Sequence, residues 1–219
     1  MSTVADFPLA SNDELDLAFN HLQEAFYRLQ DVSTGWTAVE VKSHLGQRYL
    51  RVSRQLVAPD SIADQEDNSV VHEFEEDDPE ALQNPVATSR VPRVDYDVIL
   101  SPIYRVPVVY FRLRDATVRN ENPIDTVFRY IVPHDHHHEV KVVGIVGGIT
   151  MTDHPIEGTP AFFVHPCNTA EALHHAAEQT TALTPLQYLQ LWMGIVGPVV
   201  GLYIPTVLAL KLEGLEQDS

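Results

Sequence analysis

The stretch PAFFVHPCNTAEALHHAAEQ, residues 160–179, decides the fold. Phe162 to His165 is a run of aromatic and branched residues compatible with a short strand. Pro166 stiffens the next link by fixing its own φ, and Cys167 follows it directly. Asn168, with Glu171 three residues on, has the form of a capping box, so a helix is expected from Asn168 to Gln179. A strand therefore runs into a helix with a cysteine at the corner.

Downstream, Thr184 and Pro185 open a second helix, because proline is well tolerated in a first turn. Leu186, Leu189, Met193 and Val196 give that helix an apolar stripe. No charged residue occurs from Gln179 to Leu210, a length that raises the question of a membrane span. Gln187 and Gln190 argue against a span, as do three prolines and three glycines between Pro185 and Pro205. A buried helix, a turn and an extended segment are expected instead.

Upstream, Asp97 to Leu100 and Val106 to Leu113 predict two antiparallel strands joined through Ser101 and Pro102. Val127 to Val132 is a further short strand by the same reading. Leu15, Phe19, Leu22, Phe26 and Leu29 recur at helical spacing between Ser11 and Leu29, with Ser11 or Asn12 as cap. Trp36 to Val41 and Arg48 to Val57 are β-compatible. The order helix, antiparallel strands, helices defines an α+β domain, with residues 1–219 expected to form one unit.

The formal net charge of −17 argues against nucleic acid as a partner, since phosphate binding needs clustered Lys and Arg. Residues 59–90 hold many of the acids and no lysine, and they read as a disordered acidic insertion. The single cysteine rules out an intramolecular disulfide and a thiolate-built zinc site, and it favours the cytosol. Met1 to Ala10 lack the apolar run of a targeting signal. His134, His136, His137 and His138 fall in a loop at 133–139, where consecutive side chains diverge, so no metal is expected there. No cofactor motif is present.

Cys167 at the helix start places a nucleophile where the helix's positive end stabilises developing negative charge. His165, two residues earlier in extended backbone, points to the same side and is a candidate for oxyanion or proton-transfer support. Three classes fit such a pair. They are an acyl-carrying transferase, a cysteine hydrolase with a distant base, and a non-catalytic adaptor.

The HisProCys at 165–167 resembles the catalytic motif of the autophagy conjugating enzymes. YDVILSPIYRVPVVYF (96–111), ITMTDHPIEGTPAFFVHPC (149–167) and YLQLWMGIVGPVV (188–200) together resemble the autophagy-related protein 10 family. The resemblance implies an E2-type fold and a two-step transfer. An E1-like activator passes a ubiquitin-like modifier, autophagy protein twelve, to Cys167 as a thioester. A lysine of the acceptor, autophagy protein five, then takes it up as an isopeptide. The sibling branch, which lipidates the other autophagy modifier, shares HisProCys and stands as the alternative. Ubiquitin-conjugating enzymes generally place an Asn near the cysteine, and no HisProAsn occurs here. His165, with Tyr104 from a neighbouring strand, is expected to take part of that role. The expected location is cytoplasmic, at sites of autophagosome formation.

Overall fold

A computed structural model describes residues 3–29, 34–56, 91–115, 122–132, 148–177 and 182–217. The acidic insertion expected at 59–90 and the histidine loop at 133–139 lie essentially outside these residues. The first helix, α1 (Asn12–Tyr27), begins at Ser11, whose hydroxyl accepts from the Glu14 N–H while the Glu14 carboxylate accepts from the Ser11 N–H. That reciprocal cap satisfies donors a helix start otherwise leaves unpaired. Leu15, Phe19 and Leu22 are buried along one side, as their spacing requires.

Six strands follow: β1 (Trp36–His44), β2 (Gln47–Gln55), β3 (Arg93–Leu100), β4 (Pro107–Arg114), β5 (Ile149–Asp153) and β6 (Pro160–Val164). They form one antiparallel sheet in the order β1-β2-β3-β4-β6-β5. Leu50, Val52, Val94, Tyr96, Val98, Val109 and Phe111 share one face because side chains alternate along a strand. α1 packs on β1 and β2, and all the helices contribute buried residues to the core over that face. The helices are α1, α2 (Pro123–Tyr130), α3 (Thr169–Ala176), α4 (Pro185–Val196) and α5 (Thr206–Gln217). In α4, Leu186, Leu189, Met193 and Val196 are all buried, as the apolar stripe predicts. Thr184 and Gln187 form its capping box around Pro185.

The α+β architecture agrees with the sequence reading, and four local expectations need correction. The strand expected at 127–132 is largely the end of helix α2. Asn122 accepts from the Ile124 N–H and Pro123 sits in the first turn, so a loop signal was in truth a helix start. Strand β5 was not expected, because its residues are mostly exposed at a sheet edge and show no buried alternation. The extended segment expected after α4 is short and gives way to α5. Asn168 makes no side-chain cap bond. A 3-10 turn, Pro166–Asn168, precedes α3, and His165 caps that turn instead.

The GlyProValVal segment closes α4 in a 3-10 turn, Gly197–Val200. A Cβ on Gly197 would lie 2.1 Å from the Leu202 carbonyl oxygen, so no other residue fits without backbone movement. Gly201 has φ 64°, the left-handed region open to glycine at least cost. Tyr96 in β3 donates to the Val200 carbonyl at 2.7 Å, and burial pushes its phenol up to about 12. Two of the motifs singled out in the sequence thus meet in the core. Among the described residues no helix is long and apolar enough to cross a membrane.

Candidate active site

Strand β6 leads straight to the cysteine. His165 keeps extended backbone (φ −68°, ψ 128°), Pro166 is buried, and Cys167 emerges exposed. The His165 Nδ1 accepts from the Cys167 N–H at 3.2 Å. An accepting Nδ1 carries no proton, so the ring proton resides on Nε2 as a donor. The same bond occupies the Cys167 amide. The donor expected from the backbone at this corner is therefore engaged, and the imidazole presents one in its place.

Tyr104 comes from the β3–β4 turn and meets His165 edge-to-face, with ring centroids 5.6 Å apart at 79°. The turn is held by its own bonds: Ser101 Oγ accepts from the Tyr104 N–H, and the Ser101 carbonyl from the Arg105 N–H. Arg105 adopts φ 52°, and its carbonyl accepts from the Ala10 N–H. Its guanidinium also pairs with Asp6 at 2.8 Å. The N-terminal strap thereby anchors the turn that carries Tyr104. Phe163 also meets the His165 ring, 6.0 Å between centroids. Cys167, His165 and Tyr104, predicted from sequence, are brought into one neighbourhood.

A second group escaped the sequence reading. On the sheet face away from the helices, Asp97 receives a bidentate grip from Arg51 at 2.6 and 2.7 Å and a further contact from Arg112 at 3.2 Å. Glu157, in the β5–β6 turn, pairs with Arg51 at 2.6 Å and with Arg112. Two guanidiniums and two carboxylates close a network with no net charge. Burial pushes the Asp97 carboxyl up, but His154 and Arg51 beside it pull it below the usual carboxylate range. The Arg112 hydrogen bond, aided by Arg51, holds Glu157 down to about 2 against its partial burial. A charged residue inside each of the runs DYDVIL and VYFRLR was the available signal, since an apolar strand tolerates a buried charge only when paired.

Among the described residues no group of three His, Cys, Asp or Glu side chains is arranged to hold a metal ion. A cleft of about 460 Å³ lies between the start of α1 and the β1–β2 turn, lined by Asp13, Asp16, Arg48 and Pro102. It does not include Cys167. Among the described residues the Cys167 side chain is exposed.

A family model described as autophagocytosis associated protein, active-site domain, matches residues 13–207, and the chain belongs to that family. Among curated proteins it is similar to the ubiquitin-like-conjugating enzyme ATG10 of Gibberella zeae, 38% identical over 154 residues, covering 69% of this chain and 61% of the relative. The Homo sapiens enzyme of the same name is 34% identical over 130 residues, 59% of this chain and 57% of the relative. That of Arabidopsis thaliana is 28% identical over 123 residues, 51% and 50% respectively. The matches span about half to three-fifths of these relatives' lengths. They bear out the resemblance read from the HisProCys and GlyProValVal segments, and the E2-type fold that it implied.

Proposed function

We propose that the chain is an E2-like conjugating enzyme of autophagy that carries a ubiquitin-like modifier as a thioester on Cys167. The observation that supports this most is the exposed Cys167, its amide held by His165, within an active-site domain shared with enzymes named for conjugation. In the first step the Cys167 thiolate attacks the thioester carbonyl on an E1-like activator. A new S–C bond forms and the activator's thiolate leaves. In the second, a neutral lysine amine of the acceptor attacks the same carbonyl. The His165 Nε2–H donates to the oxyanion that develops, while Tyr104 braces the imidazole from its edge. Collapse expels the Cys167 thiolate, the amine's proton passes to solvent, and an isopeptide remains.

The finer reading makes autophagy protein twelve the modifier and autophagy protein five the acceptor, in the cytosol at sites of autophagosome formation. It follows from the family resemblance carried by residues 96–111, 149–167 and 188–200. Purified chain, activator, ATP and modifier are run on a non-reducing gel with Cys167→Ser alongside. A thiol-sensitive adduct in wild type, and a thiol-resistant oxyester in the serine variant, is expected. No adduct with an activator proven on another substrate leaves a non-catalytic adaptor as the better account. Offering the charged enzyme both the protein acceptor and phosphatidylethanolamine vesicles separates the two branches, and transfer to protein is expected.

A further inference from the structure

A second histidine–proline pair, His154 and Pro155, stands at the other end of β6 from His165 and Pro166. Its imidazole is fully buried, and its Nδ1 accepts from two backbone donors, Ile156 N–H at 3.3 Å and Glu157 N–H at 3.1 Å. The His154 backbone closes the same turn: its N–H donates to the Thr159 carbonyl and its carbonyl accepts from the Gly158 N–H, each at 2.8 Å. Nε2 lies 3.2 Å from Asp97 Oδ2, near enough for electrostatic attraction though poorly aligned for a hydrogen bond. The turn that His154 caps delivers Glu157 to Arg51 and Arg112, and Thr159 accepts from Arg112 at 2.8 Å.

This tether matters because β6 has little backbone pairing to β4, although Phe162 and Val164 are buried in the core. Among the described residues, only Tyr110 with Phe163 and Phe111 with Phe162 pair β6 to β4, and β5 joins the sheet through β6 alone. A line of rings also connects the two corners. His154 meets Tyr110 at 5.4 Å, Tyr110 stacks on Phe163 at 5.6 Å and 14°, and Phe163 meets His165.

We propose that His154 is a positioning residue for the Cys167 corner: by capping the β5–β6 turn it seats Glu157 between Arg51 and Arg112, and this clamp sets β6 and the cysteine at its end. The inference rests on Cys167 as the acyl carrier. What it requires of His154 is chiefly the acceptor at Nδ1. Asparagine places an amide oxygen near that position and accepts from donors two and three residues on, whereas leucine fills the volume without accepting.

The test uses the full chain with His154→Asn, His154→Leu and Glu157→Ala. Each variant is checked for folding, for the rate at which iodoacetamide alkylates Cys167, and for single-turnover discharge of the charged enzyme to acceptor. His154→Asn is expected within about 3-fold of wild type in both rates. His154→Leu and Glu157→Ala are expected to discharge on the order of 10-fold slower or worse, with alkylation altered, because small misplacements of reacting groups are costly in rate. The loss falls on the rate at saturating acceptor and not on the acceptor concentration for half-maximal rate.

Folded Glu157→Ala with both rates at wild-type level overturns the proposal, as does His154→Leu matching His154→Asn. Should His154→Leu fail to fold, Glu157→Ala decides alone, since Glu157 is partly exposed and leaves no buried hole. Should wild type itself fail to charge, the carrier reading falls. Alkylation still reports the placement of Cys167, and an unchanged rate in Glu157→Ala then rejects the positioning role.

Discussion

The two histidine–proline corners that bracket β6 use the same local device and end in different environments. In both, Nδ1 accepts a backbone N–H two residues on, from Ile156 in one and from Cys167 in the other. At His154 the ring is sealed beneath the β5–β6 turn, and its second nitrogen faces a buried carboxylate. At His165 the ring is half-buried in contact with Tyr104 and Phe163, and beside it stands an exposed thiol. The lesson is that one nitrogen builds the corner and the surroundings assign the other. A donor facing a buried carboxylate is structural; on the function proposed above, the donor beside the exposed thiol is the chemical one.

The largest test of this contrast is His165→Asn. The amide oxygen keeps the cap on the Cys167 N–H while the donor at Nε2 is lost. Single-turnover discharge is expected to fall about 100-fold, the typical cost of one oxyanion donor, with the melting temperature nearly unchanged. Discharge at the wild-type rate makes both corners merely structural and collapses the distinction.

Stability is expected to show the opposite order. His154→Ala costs about 2–3 kcal/mol, because it opens a cavity and strips two buried N–H groups of their acceptor. His165→Ala costs under about 1 kcal/mol, since solvent reaches its corner. Urea denaturation at neutral pH reads both, and equal losses remove burial as the cause of the difference.

A smaller effect sharpens the buried side. Glu157 falls from an ordinary value of 4.5 in the unfolded chain to about 2 in the fold. Its depressed value means that its contribution is complete above about pH 4.5 and is lost as pH falls towards about 2. Stability measured from pH 7 to pH 2.5 is expected to fall less steeply across that window in Glu157→Gln than in wild type. Parallel acid limbs in the two proteins place the clamp elsewhere.

The smallest effect belongs to Tyr104. An edge-to-face pair adds about 0.5–1.5 kcal/mol, so Tyr104→Ala is expected to slow discharge about 2- to 10-fold, and Tyr104→Phe, which keeps the ring, hardly at all. A large loss in Tyr104→Phe assigns the hydroxyl a part that the ring contact does not supply.

The legibility of the site follows the range of its interactions. Cys167 and His165 were readable because the corner is local: strand, proline and helix start succeed one another in sequence. Tyr104 was reachable only through family resemblance, since nothing nearby in sequence announces that its turn touches His165. The clamp was missed because Asp97, Arg51, Arg112 and Glu157 come from three strands and a turn. Helix α2 was misread for a different reason. Val127 to Val132 is too short an apolar run for periodicity to separate helix from strand, and the Asn122–Pro123 cap had the look of a loop.

By itself the sequence determined what short-range stereochemistry controls: the caps at Ser11 and Thr184, the apolar runs that become β3 and β4, and the proline-stiffened approach to Cys167. The need for glycine at 197, set by the closeness of the Leu202 carbonyl, appears only in the folded chain. Tertiary structure alone decided which imidazole nitrogens are occupied, which acids are buried, and how a weakly paired strand carrying the cysteine is held. Those outcomes depend on desolvation and on charges meeting across strands far apart in sequence, and a hydrogen bond or a buried ion pair acquires its value only when both partners have left water together.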